Sequence, residues 1–177
     1  MNAFLYKYTE TELKKLLKTM TVIIDSREKE IEHITGSYNQ KKIPYIVQSL
    51  NFGDYSFMLP ACPELGINRE MYFHNDIVIE RKADLEELSG NLAQHRERFE
   101  NEFLRARDCD ITLMVEQGSI SDILNHKYRT KYGESAFMAS LMAWEQRYKI
   151  RTAFVHMIHS GLYIYTKFYY YLRELLK

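Results

Sequence analysis

Six consecutive residues, Ile77-Val78-Ile79-Glu80-Arg81-Lys82, restrict the fold more than any other stretch of the chain. Three apolar, β-branched residues in a row suit a strand buried on both faces, as in sheets covered by helices. The run turns charged where the pattern changes from strand to helix. Glu80, Arg81 and Lys82 are therefore expected to surface at a strand end, where α/β folds place their chemistry. Side chains alternate along a strand, so an acid and a lysine two apart point to the same face.

The rest of the chain alternates helical and extended patterns. Thr9-Glu10-Thr11-Glu12 has the capping-box form and, with Leu13, Leu16 and Leu17 behind it, predicts a helix over 9–19. That helix carries a second Glu-x-Lys, Glu12-Leu13-Lys14, so the tripeptide alone says little. Residues 21–24 read as a buried strand ending in Asp25-Ser26-Arg27-Glu28, followed by a helix to about Lys42 that stops before Pro44. Residues 45–50 and 55–59 read as two strands joined by a tight turn at Asn51-Phe52-Gly53-Asp54, and 60–70, with Pro60, Pro63 and Gly66, as a loop.

After the Glu-Arg-Lys strand, a long helix or a broken pair covers 84–107, with Leu85, Leu88, Leu92, Phe99, Phe103 and Leu104 as its apolar stripe. A strand over 111–115 ending in Glu116, helices over 119–126 and 134–149, a strand over 151–157 and a helix over 161–176 complete the chain. Helices alternating with buried strands imply an α/β fold: a central mixed β-sheet flanked by helices on both faces, in one domain over 1–177.

Composition removes several classes of function. With 46 % hydrophobic and 27 % charged residues the chain can bury a core, which excludes a disordered tail. A net charge of +0 excludes coating nucleic acid by bulk charge and leaves room for a local basic patch. Cys62 and Cys109 lie far apart with no metal-ligand spacing, so neither a disulfide framework nor a zinc site is expected. Lys167 and Arg173 interrupt the apolar C-terminal stretch, and no signal-peptide core precedes Glu10. The expectation is a soluble, intracellular protein with no membrane association, in the cytoplasm or nucleoid, or in the nucleus of a eukaryote.

Three acids fall at strand ends or turns, Asp25, Asp54 and Glu80, with Lys82 beside the last. Hydrolysing a phosphodiester needs a strong nucleophile at neutral pH and neutralisation of charge on the phosphate. Hard divalent cations on carboxylate oxygens supply both, and a lysine can orient water and offset charge. Gly53 allows the tight turn before Asp54.

Taken in order, Ile24-Asp25-Ser26-Arg27-Glu28, Gly53-Asp54-Tyr55, Ile79-Glu80-Arg81-Lys82, Leu88-Ser89-Gly90 and Arg96-Glu97-Arg98-Phe99 resemble the nuclease domain of the XPF family. Those proteins are structure-specific DNA endonucleases on a restriction-endonuclease-like fold, and the resemblance spans about 21–157. It implies Mg²⁺- or Mn²⁺-dependent cleavage of branched, flapped or single-strand-containing DNA in repair, recombination or replication. It also implies Asp54 and Glu80 as metal ligands, joined by the main-chain carbonyl of Arg81, with Asp25 completing the cluster through water. Lys82 becomes the base or electrostatic partner of the attacking water, and Arg27, Glu28 and Arg81 shape the site or contact DNA. The alternatives are an inactive DNA-binding or partner-binding domain of the same fold, and a sequence-specific restriction nuclease.

The pattern departs from the family in three places. The aspartate expected after Glu-Arg-Lys is represented by Asp84 or Glu86, and His95-Arg96 stands where relatives often have Gly-Arg. The tandem helix-hairpin-helix module of many relatives has no counterpart in the 177 residues.

The resemblance implies a place for Arg96 one helix from the metal, whereas Arg98, Arg105 and Arg107, alternating with Glu97, Glu100 and Glu102, read as a solvated face. Lys127, Arg129 and Lys131, interleaved with Tyr128 and Tyr132, form either a DNA-contacting loop or an ordinary polar one. His156 and His159 read as structural. Tyr163, Tyr165, Phe168, Tyr169, Tyr170 and Tyr171 occupy more than one helical face and suggest a homodimer, with Trp144 and Tyr148 sharing the surface.

Overall fold

Alternation along the strands sorts the apolar residues into two cores, one on each side of a sheet. In the computed structural model, which describes residues 7–106 and 108–177, seven strands make up that sheet: β1 Thr21–Ile24, β2 Tyr45–Val47, β3 Tyr55–Leu59, β4 Met71–Tyr72, β5 Ile77–Asp84, β6 Asp110–Gln117 and β7 Arg151–Phe154. Their order is β2-β1-β3-β5-β6-β7, with β4 pairing β3 off this path. The pairs β1–β2, β5–β6 and β6–β7 are parallel, and β3 runs antiparallel to β1, β4 and β5.

Val22, Ile24, Ile77, Ile79 and Met114 face one core, which is closed by α1 Glu10–Thr19, α2 Glu32–Lys41 and α7 Ser160–Leu176. Val78, Ile111, Leu113 and Val115 face the other, closed by α3 Leu85–Ala93, α4 Arg96–Arg105, α5 Ile120–Leu124 and α6 Glu134–Tyr148. Both faces of the central strands are thus covered, as their continuous apolar runs require. The capping box on α1 is present, with the Thr9 backbone and hydroxyl donating to Glu12 and the Glu12 N–H donating back to Thr9 Oγ1. Among the described residues no helix is long and apolar enough to cross a membrane.

Several expectations change. Residues 45–47 and 55–59 do not form a hairpin, because β1 lies between them, pairing Val22 with Tyr45 on one edge and with Phe57 on the other. The turn at 51–54 therefore carries the chain past the end of β1 instead of reversing it. β5 does not end at Lys82: parallel pairing with β6 continues through Lys82↔Val115 to Asp84↔Gln117, and only then does Asp84 cap α3. Charge did not terminate the strand because Arg81 and Lys82 find acidic partners.

Of the two readings of 84–107, the broken pair is the one present, parted between Ala93 and Arg96, although Leu104 of its stripe is exposed; Arg107 lies outside the described residues. Trp144 and Tyr148 cannot share a surface with the aromatic residues of α7, since they belong to the core on the opposite side of the sheet.

Trp144 is wholly buried, with its ring centroid 5.1 Å from that of Phe99 and 5.7 Å from that of Phe103. Trp144→Ala is expected to lower the unfolding free energy by about 3–5 kcal/mol, measured by urea denaturation; a loss near zero would contradict this packing.

Candidate active site

The site begins with a turn that only glycine makes easily. Gly53 has φ +71°, and a Cβ at that position would lie 2.8 Å from Val78 Cβ. A left-handed backbone and a close approach to β5 both favour a residue with no side chain. The next residue, Asp54, is tied on both sides. Its N–H donates to Ile79 O at 2.9 Å, and its carbonyl accepts from Asp25 N–H at 2.8 Å. Its carboxylate then meets β5 directly, with Oδ2 accepting from the Arg81 N–H at 2.7 Å.

Glu80 and Lys82 point to the same face of β5, as the alternation predicted. Lys82 Nζ donates to Glu80 Oε1 at 2.8 Å, lies 3.3 Å from Glu87 Oε1, and sits 4.9 Å from the centre of the Phe99 ring. Glu87 is itself fixed, because its other oxygen accepts from the Ala83 N–H at 2.9 Å. Asp54, Glu80 and Lys82 line a cleft of about 340 Å³, with the 51–53 turn, Glu87 and Asn91 of α3, His95, and Arg98, Glu102 and Arg105 of α4 around them.

Electrostatics set these groups apart from an ordinary polar surface. Burial, together with repulsion from Glu80 and Glu28, pushes the Asp54 carboxyl well above the usual carboxylate range. Burial and Glu80 raise Glu102 as well. Burial would lower the Lys82 ammonium, but Glu80, Glu87 and Asp54 outweigh it and hold the amine above its ordinary value. These neighbours reinforce the cationic form of Lys82.

Arg81 points to the opposite face. Its guanidinium lies 3.1 Å from Glu28 Oε2 and 2.8 Å from Glu116 Oε2, with only 8 % of the side chain exposed. Tyr55 donates to Glu28 at 3.1 Å, and His33 Nε2 lies 2.7 Å from Glu116. Glu28 and Arg81 thus shape the site from behind. Glu116, which appeared in the sequence only as a strand end, completes their network.

Asp25 departs from the metal-cluster expectation. Its Oδ1 accepts from the Arg27 N–H and Nε, and its Oδ2 from Arg27 Nη2 and the Leu50 N–H. Four donors use the lone-pair positions of a carboxylate, and Asp25 does not line the cleft. Burial would raise this carboxyl, but the bonds from Arg27 and Leu50 outweigh it and hold it low. The aspartate anchors Arg27, which does line the cleft.

Neither candidate for the last acid faces the cleft. Asp84 caps α3 by accepting from the Glu87 N–H, and Glu86 accepts from the Arg129 N–H and Nε. Arg96 also turns away, lying 5.9 Å from the Trp144 ring and 3.7 Å from Glu100. Lys127 pairs with Asp122 and Lys131 is exposed. Tyr128 is buried with its hydroxyl on Tyr132 O, so it presents no face for stacking on a base.

Sequence reasoning missed Glu87, Arg98, Glu102 and Arg105. The last three recur at four- and three-residue spacing, which places them on one helical face, but their alternation with acids made that face look solvated.

Among the described residues no three His, Cys, Asp or Glu side chains form a ready cation cage. Mg²⁺ does not need one, since it binds through one or two carboxylates plus water and substrate oxygens. Burial, with Glu80 and Glu28 nearby, disfavours an uncompensated charge on Asp54, and a hard divalent cation fits that need.

The ERCC4 domain family model matches residues 24–165, most of the chain. Two solved structures share the fold. XPF from Aeropyrum pernix superposes with a TM-score of 0.59 at 19 % identity, covering 88 % of this chain and 66 % of that one. XPF from Aeropyrum pernix in complex with DNA gives 0.55 at 20 % identity, covering 88 % and 64 %. The chain therefore spans just under two thirds of the length of these structures. No curated protein matches it.

Burial would raise Glu116, but the Arg81 guanidinium outweighs this and lowers it in the folded protein. Its contribution to stability is present above the ordinary glutamate value of 4.5 and is lost as pH falls through the folded value. The stability gap between the native protein and Glu116→Gln is expected to narrow on acidification below that point, in denaturant titrations at stepped pH. A gap independent of pH would contradict the Arg81–Glu116 pairing.

Proposed function

We propose that this chain, which belongs to the ERCC4 domain family, is a divalent-cation-dependent endonuclease that hydrolyses phosphodiester bonds in branched or single-strand-containing DNA. The observation that carries this reading is the convergence of Asp54, Glu80 and Lys82 on one cleft, with the Asp54 carboxylate fixed by the Arg81 N–H at 2.7 Å. Two carboxylates beside a buried ammonium match what phosphodiester hydrolysis demands of a protein.

Asp54 and Glu80 would hold Mg²⁺ or Mn²⁺, with the Arg81 main-chain carbonyl as a third oxygen. The bound cation supplies a nucleophile at neutral pH and neutralises charge on the phosphate. Every other task falls to the chain. Lys82 stays protonated and offsets negative charge that develops at the phosphate, held by Glu80 and Glu87 and backed by Phe99. The Arg81–Glu28–Glu116 network keeps β5 in register, so that the Arg81 N–H and the Glu80 side chain stay fixed relative to each other. Asp25 acts indirectly, by holding Arg27 at the mouth of the cleft.

Family relationship, fold and the DNA-bound relative all support DNA as the substrate. Retention of Asp54, Glu80 and Lys82 together favours turnover over an inactive binding domain. Incubation of flap, fork, Holliday-junction and plain duplex DNA with Mg²⁺ tests the reading. Cleavage of the branched substrates is expected, and Asp54→Asn or Lys82→Ala should reduce it by about 10²-fold or more. Equal rates for native and substituted proteins would overturn the assignment.

A further inference from the structure

A chain of net charge +0 cannot hold DNA by its overall field, so local cations must supply the affinity. Three arginines line the cleft with the Asp54–Glu80 pair: Arg27 from the segment between β1 and α2, and Arg98 and Arg105 from α4. We propose that Arg27, Arg98 and Arg105 form a phosphate track that leads one DNA strand past Asp54 and Glu80, with α4 as its bed. The proposal rests on the nuclease reading above and adds where the strand lies and which groups carry its charge.

Arg27 is preorganised for this task. Its Nε and Nη2 are fixed on Asp25 at 2.8 and 3.0 Å, and Nη2 also donates to Leu50 O at 2.8 Å. A guanidinium has five N–H donors, and the Nη1 pair has no acceptor among the described residues. The side chain is nonetheless 68 % exposed. A rigid fork with outward donors is the geometry that binds a phosphate with little further ordering. This also accounts for a buried aspartate beside the cleft that does not face into it.

Arg98 is 86 % exposed, and its contact with Glu102 is long, at 3.7 Å. Pairs of that kind contribute little in water, so exchanging Glu102 for a phosphate oxygen is easy. Arg98 and Arg105 stand seven residues apart on one helix, about 10.5 Å along its axis. That is longer than the separation of neighbouring phosphates along one strand, so the two meet separate phosphates. The basic-aromatic loop at 127–132 is a weaker candidate, because Lys127 and Arg129 already have acidic partners and Tyr128 is buried.

The test is salt-dependent binding, read by fluorescence anisotropy of a labelled single-stranded oligonucleotide in an Asp54→Asn background, with EDTA in place of Mg²⁺ so that the strand stays intact. For single strands, each phosphate contact contributes about 0.7 to the slope of log K against log salt. Arg98→Ala with Arg105→Ala is expected to reduce the slope by about 1.4, and adding Arg27→Ala by about 0.7 more. Arg98→Lys with Arg105→Lys should keep most of the slope, since charge and not fork geometry sets it. Lys18→Ala with Lys41→Ala, on helices across the sheet, should leave it unchanged; circular dichroism confirms that each protein is folded.

A double variant with the parent's slope, or an equal loss in the control, overturns the track. Absence of binding by the parent protein overturns the DNA reading itself, so the two failures are distinguishable.

Discussion

Everything at the cleft depends on how Arg81 is held. Its backbone N–H reaches the Asp54 carboxylate on one side of the sheet, while its side chain is clamped by Glu28 and Glu116 on the other. One residue thus connects the two faces of β5, and the clamp behind the sheet limits how β5 can shift under Asp54. A buried ion cluster of this kind is poor evidence of net stability, because desolvating its members opposes their attraction. Its value here is positional. Removing one member would leave an uncompensated charge in the core and release the strand that supports the cleft.

The same division explains the odd run Glu80-Arg81-Lys82. A strand buried on both faces would not carry three charges unless each had a partner. Glu80 and Lys82 partner each other on the cleft side, with Glu87 behind the lysine, and Arg81 finds its acids on the far side. The cleft side brings Asp54 near Glu80 in a confined space, and burial together with the neighbouring acids raises the Asp54 carboxyl.

Local pattern revealed the parts of the fold that local forces decide. The capping box on α1 and the two-sided apolar character of β5 and β6 follow from nearest-neighbour chemistry, and all are present. The pairing of strands was less legible. β2 and β3 looked like a hairpin because only a short turn separates them, yet β1 lies between them, and no property of the turn encodes that. The end of β5 was misplaced for a similar reason, since its extension depends on β6, far along the chain.

At the site, residue types were legible and directions were not. Asp54, Glu80 and Lys82 converge, but Asp25 turns to Arg27, while Asp84 and Glu86 leave the cleft to Glu87. On α4, helical packing turns Arg98 and Arg105 toward the cleft and Arg96 toward Trp144.

The central claim is that Asp54 and Glu80 form one cation site on the Arg81 backbone. Anomalous scattering from crystals soaked in Mn²⁺ tests it most directly. The account predicts a peak about 2.1 Å from oxygens of both Asp54 and Glu80, with Asp25 still bound to Arg27. A peak at another cluster of acids, or one that draws Asp25 away from Arg27 into direct ligation, would contradict it.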